Sequence, residues 1–436
     1  MSSTRKFAVI FGTIVSLFCS STFATPHSVK WCAHWYTKFI DSGYGEDTFN
    51  AGQNTFEYSP AKYAKAKLRI AGLPYHWEGN LDSDGCTPLL STEGNTDYQF
   101  HIWYTRFRGG RAIHVNADEF APDTAYKGLT VTTGNMLSDG GTVNVTYSHW
   151  HERTNMAQLA GLALGYPTSR YWPGQSVTYI STQANPACGT GRGTNTVDNK
   201  ICINTDYVAT SGTHYNHGLY KFVIAHEMGH AQSNAVRGPG GNTSPTYQLV
   251  LNETTNEHPC NCVATSEGSG TIPEMCFRMR ADILSAEREG WANFWSAALL
   301  NERSSSNGYM AIWNKTYVMQ NGSAEWETVT PIAYNMLSRE KYMEAECDPE
   351  DASGDPADNV GILSDWSQFF WELWTKTSDR FDMNMISPIW LANYQEYDDT
   401  NEYGHWDTLL ETVEQLYASN YEIHFEDTGD LTGVNH

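Results

Sequence analysis

The chain has 436 residues, with 50 acidic against 27 basic side chains and a formal charge of −23. Charge of this sign repels phosphate backbones and anionic lipid surfaces, which argues against nucleic acid as a partner and against attachment to a membrane surface. With 13 % aromatic residues the sequence carries apolar material for more than one core, and its length fits two domains.

Arg5 and Lys6 precede an apolar stretch from Phe7 to Phe18, and Thr22 and Ala24 place small residues three and one positions before a cut. This is the pattern of a secretory signal peptide over 1–24, and its apolar run is too short to span a bilayer. No later stretch reaches the ~18 uninterrupted apolar residues of a spanning helix. The mature chain is expected to be secreted, extracellular or periplasmic according to the source, without membrane insertion. Removal of Cys19 leaves Cys32, Cys86, Cys188, Cys202, Cys260, Cys262, Cys276 and Cys347, an even set that reads as disulfides in an oxidising compartment. Proximity in sequence favours Cys32 with Cys86 and Cys188 with Cys202; the other four stay unpaired on sequence grounds.

From Val29 the chain alternates, with Val29, Trp31, Ala33, Trp35 and Phe39 on one parity and Lys30, His34 and Lys38 on the other. The same period of two returns in Ala64, Ala66, Leu68 and Ile70 against Lys65, Lys67 and Arg69, and again in Tyr98, Phe100, Ile102 and Tyr104. Alternation of this kind marks half-buried strands, so residues 25–118 are expected to form an antiparallel β domain. The proline-containing segment 118–123 is the expected boundary. A second region over 119–436 is expected to be mostly helical with a small sheet, giving an α+β fold. Its elements are a strand from Thr142 to Tyr147, a helix from about Asn155 to Leu164 closed by Gly165 and Pro167, and strands at Val177–Ser181 and Lys200–Asn204. Beyond these the sequence reads as helical, including 278–301, 365–376 and 406–417.

His226-Glu-Met-Gly-His230 lies in a segment, Leu219 to Ala235, whose Leu219, Phe222 and Val223 have helical spacing and whose end is marked by Gly238-Pro239-Gly240. Four residues apart on a helix, the two imidazoles point the same way and can ligate one zinc ion, while Glu227 is placed to reach a water on that ion. Zinc lowers the pKa of such a water toward about 7, and a carboxylate can take its proton and hand it to a leaving amine. Phe222-Val-Ile-Ala225 buries the start of the helix, so the histidines are expected to face an interior cleft.

At these residues the sequence resembles the zincin superfamily of metallopeptidases, in which the HExxH motif lies on the active-site helix. The metzincin branch of that superfamily needs Gly and His where this chain has Ser233 and Val236, and is excluded. The gluzincin branch takes its third ligand from a glutamate on a later helix, followed four residues on by a side chain that orients a ligating histidine. Glu289-Gly-Trp-Ala-Asn293 resembles that helix, and the resemblance assigns Glu289 as third ligand with Asn293 as the orienting partner. Small residues at Gly290 and Ala292 would let the two helices approach closely. Glu287 and Glu253 are the alternatives for the third ligand.

The resemblance implies a zinc-dependent metallopeptidase that acts on a protein or peptide substrate, with Glu227 as general base and Zn2+ held by His226, His230 and Glu289. Tyr309, Tyr334 and His405 are the candidates for stabilising the oxyanion, and His149 and His151 are more plausibly a rim than a second metal site. Two other functions compete. One is an adhesion protein that uses Trp31, Trp35 and Trp103 as ligand platforms; the other is a zinc hydrolase of non-peptide substrates.

Overall fold

The computed structural model describes residues 26–41, 56–116, 126–133, 138–147, 152–165, 177–182, 195–197, 199–205, 207–208, 214–237, 270–272, 283–303, 309–320, 323–335, 363–375, 381–383, 385–386, 388–389, 404–417, 419–432 and 434. The expected signal peptide, the segment 118–123, His149, His151, Cys188, Glu253 and the four cysteines from Cys260 to Cys347 lie outside the described residues.

Strand β1 (Pro26–Lys38) buries Val29, Trp31, Ala33 and Trp35 on the expected parity. It is followed by β2 (Phe56–Pro60), β3 (Ala64–Ile70), β4 (Tyr75–Asn80), β5 (Leu90–Glu93), β6 (Asp97–Arg108) and β7 (Arg111–Asn116). Every pairing among these strands is antiparallel. Trp31 and Trp35 are fully buried, which takes them out of consideration as ligand platforms. Trp31 packs on Tyr98 and Phe100 of β6 at ring separations of 5.1 and 5.9 Å. Trp35 stacks on Tyr104 at 5.8 Å, with the Arg106 guanidinium 4.3 Å from its ring. Cys32 and Cys86 form the expected disulfide beside this core.

Beyond residue 118 come β8 (Tyr126–Thr132), β9 (Thr142–Tyr147), helix α1 (Glu152–Gly165), β10 (Val177–Thr182), β11 (Asn195–Val197) and β12 (Lys200–Ile203). Pairings join these strands to the ones before 118. β9 runs parallel to β1, β8 antiparallel to β6, and β10 parallel to β7. The result is an eight-stranded mixed sheet in the order β11-β12-β10-β7-β6-β3-β4, with β8 also on β6, and a smaller sheet built on β1. Cys202 on β12 is disulfide-bonded.

A ribbon of β13 (Tyr207–Val208) and β14 (His214–Tyr215) leads through a single 3-10 turn, His217–Leu219, into helix α2 (Lys221–Arg237). The remainder holds β15 (Gly270–Ile272), α3 (Ile283–Leu300), β16 (Tyr309–Gln320), β17 (Ser323–Asn335), α4 (Leu363–Thr375), α5 (Gly404–Leu416) and α6 (Ser419–Thr432). The fold is α+β. The long β16–β17 hairpin corrects the helical reading of this region. Its strands are rich in Tyr, Trp, Ile, Val and Thr, which suit a pleated surface. Pro331 fits because, among the described residues, β17 pairs only with β16, so no second ladder there needs its missing N–H.

Two side chains from early in the sequence hold the entry to α2. Asn155 of α1 accepts from the Lys38 amide at 3.0 Å and donates to the carbonyls of Lys38 and Gly218 at 2.7 and 2.8 Å. Asp41, fully buried, accepts from the amides of Lys221 and Phe222 at 2.9 and 3.1 Å. These are first-turn donors that a helix cannot satisfy internally, so Asp41 acts as a cap supplied from another part of the chain.

Burial pushes the Asp41 carboxyl up to about 6, against the pull of Lys221 and the helix amides. An unfolded aspartate titrates near ~3.9, so the folded state holds this proton more tightly. Stability that is present below about pH 4 is therefore lost as pH rises through about 6, by about 3 kcal/mol. The Asp41→Asn variant lacks that proton. Urea unfolding at pH 4 and pH 7 should show the variant gaining about 2 kcal/mol relative to wild type over the interval, whereas a constant difference would remove Asp41 as the source.

Candidate metal centre

Helix α2 buries Phe222, Ile224, Ala225, Met228 and Ala231, which fixes its rotation. His226 and His230 then lie one turn apart with ring centroids 4.5 Å from each other and planes nearly perpendicular. Helix α3 crosses beside them. It is held from behind by an aromatic layer: Trp291 and Phe294 contact Phe370 of α4 at 5.2 and 5.6 Å, and Phe294 contacts Trp374 at 6.3 Å. Each such ring contributes on the order of 2 to 3 kcal/mol by leaving water.

The two helices meet at Gly229 and Ala292. A Cβ added to Gly229 would stand 2.8 Å from the Ala292 Cα and 3.1 Å from the Trp295 Cβ. The small residues expected on α3 are thus matched by one inside the HEMGH motif itself.

This approach brings Glu289 between the histidines. Its Oε2 is 3.2 Å from His226 Nε2, and its Oε1 is 3.2 Å from His230 Nε2. Asn293, one turn along α3, places Oδ1 2.8 Å from His226 Nδ1. An amide oxygen only accepts, so Nδ1 carries the hydrogen and Nε2 is left as the ligand atom. Asn293 thus supplies a neutral amide oxygen as the partner of this ring.

His226, His230 and Glu289 offer ligand atoms that all lie within 4.8 Å of one another, and among the described residues they are the one such group. Two ligands of a tetrahedral ion with bonds of about 2.0 to 2.1 Å stand about 3.3 Å apart. The two 3.2 Å separations match that spacing, so the donor set fits a metal ion. Glu287 lies on α3 with its side chain outside the described residues, as does His405 on α5 and as do Tyr309 and Tyr334 on the hairpin.

The electrostatics favour a cation. Burial alone would raise the Glu289 carboxyl, yet the charge of His230 and the hydrogen bonds of both imidazoles hold it well below the usual range. Burial would lower His226, and the hydrogen bond and charge of Glu289, the charge of Glu227 and the Asn293 contact raise it instead. A metal entering this site displaces protons.

Glu227 is buried beside the group. Thr196 of β11 donates to its Oε2 at 2.5 Å and lies 3.1 Å from its main-chain oxygen. Thr196 was not recognisable in the sequence, because it stands 31 residues upstream in a three-residue strand.

Gly229→Ala should drive α3 away from α2, because the new methyl meets backbone and not a flexible side-chain end. A loss of about 1 to 3 kcal/mol in stability is expected, with a weakened affinity for metal, read by thermal melting and by titration with zinc. Unchanged metal affinity would show that the close approach does not set the ligand geometry.

No family model matches this chain, and no curated protein matches it. The site is therefore defined by its own geometry.

Proposed function

We propose that the chain is a secreted zinc-dependent metallopeptidase. The observation that carries this reading is the convergence of the Glu289 carboxylate on the Nε2 atoms of His226 and His230, with Glu227 on the same turn of helix. Zinc held by two imidazoles and a carboxylate supplies a Lewis acid for a carbonyl oxygen and brings the pKa of a water toward about 7.

The chain's own residues supply the rest. Asn293 fixes the His226 ring, and Glu227 is the carboxylate that takes a proton and returns it to a leaving amine. The donor that stabilises the oxyanion is proposed to come from Tyr309, Tyr334 or His405, on the chemistry of these side chains alone. The Cys32–Cys86 disulfide and the signal-like sequence over 1–24 support export. Among the described residues no helix is long and apolar enough to cross a membrane.

Glu227→Gln is expected to lower kcat on a peptide library by ~10³-fold while zinc stays at about one ion per chain. Hydrolysis by the variant at the wild-type rate, or a purified wild type without stoichiometric metal, would falsify the proposal. The metal analysis also separates zinc from iron(II), which the same donor set accommodates. Cleavage of esters or sugars, with no chelator-sensitive cleavage of any peptide, would redirect the reading to a non-peptide hydrolase.

A further inference from the structure

The edge of the eight-stranded sheet reaches the candidate site at Thr196. Among the described residues β11 is the outermost strand of this sheet and pairs only with β12, with Thr196 opposite Ile201. The Thr196 side chain is turned inward and buried, and its hydroxyl lies against both the carboxylate and the main-chain oxygen of Glu227. A threonine on an exposed edge strand satisfies its hydroxyl with water at no cost. Here it is spent on one residue, the one that must keep a defined orientation for proton transfer.

We infer that Thr196 is a positioning residue for Glu227, an inference that rests on the metallopeptidase reading above. A threonine hydroxyl has one donor and two acceptor sites. With its hydrogen on Oε2, it holds one carboxylate oxygen and reserves Oε1 for the proton that Glu227 accepts from water. The same hydroxyl also lies 3.1 Å from the Glu227 main-chain oxygen, so Thr196 meets this residue at both its side chain and its backbone. The β-branched frame of threonine contributes as well, since it leaves few χ1 wells.

The test compares wild type, Thr196→Val and Thr196→Ser in the full mature chain, reading zinc content, thermal midpoint, kcat and KM on a cleaved peptide. Valine keeps the branched shape and removes the donor; serine keeps the donor. Thr196→Val is expected to lose about 10-fold in kcat, with KM within about twofold of wild type and zinc content unchanged. Thr196→Ser should recover most of the rate. Equal kcat in wild type and Thr196→Val would overturn the proposal, as would a loss of activity that follows loss of zinc. If Thr196→Val does not fold, Thr196→Ala decides by the same criteria. A wild-type chain that binds zinc and cleaves no peptide overturns the metallopeptidase reading and this proposal together, whereas an active wild type with an equally active valine variant overturns this proposal alone.

Discussion

The closeness of two helix backbones decides the geometry of the candidate site. Gly229 has no room for a side chain against Ala292, and helices packed on ordinary residues stand 8 to 10 Å apart. A wider separation would carry Glu289 away from both imidazoles at once, because its two oxygens each reach a different histidine. The glycine between the two histidines is thus part of the ligand arrangement although it ligates nothing.

Close packing of this kind needs rigid support on the far side. The sheet and α1 provide it for α2, whose apolar residues from Phe222 to Ala231 are buried in the same core as Trp31 and Trp35. For α3 it comes from α4 through Trp291, Phe294, Phe370 and Trp374, and α4 in turn rests on α6 through Phe369 and Phe425, 5.1 Å apart. Aromatic rings suit this task because they fill large volumes with few rotatable bonds. The β-sheet residues and the aromatic helices thus share one continuous core, and the three candidate ligands lie where α2 meets α3 within it.

Local signals were legible in the sequence, and long-range ones were not. The alternation at Val29–Trp35, Ala64–Ile70 and Tyr98–Tyr104 reported strands because a half-buried sheet imposes a period of two on the side chains themselves. His226 and His230 were readable for a similar reason, since spacing on one helix fixes their common direction. Glu289 needed a resemblance to be singled out, because nothing local ties it to a helix more than fifty residues earlier. The parallel pairings β1–β9 and β7–β10 left no trace, since register between distant strands is written in no short segment. The β16–β17 hairpin is a different case. Gln320 pairs with Ser323 across the dipeptide Asn321-Gly322, a strong turn signal between β-branched and aromatic stretches that the helical reading leaves out of account.

Asp41 reaches the first turn of α2 across 180 residues of sequence. Starting a helix is its costly step, and here the start is completed by a group made long before the helix. The cap also waits on β1, whose last residue is held by Asn155 of α1. The first turn of the histidine helix is therefore capped only where the chain just after β1 is in place, and Glu289 comes from α3, further along the sequence. The three candidate ligands therefore come together only when most of the chain is present.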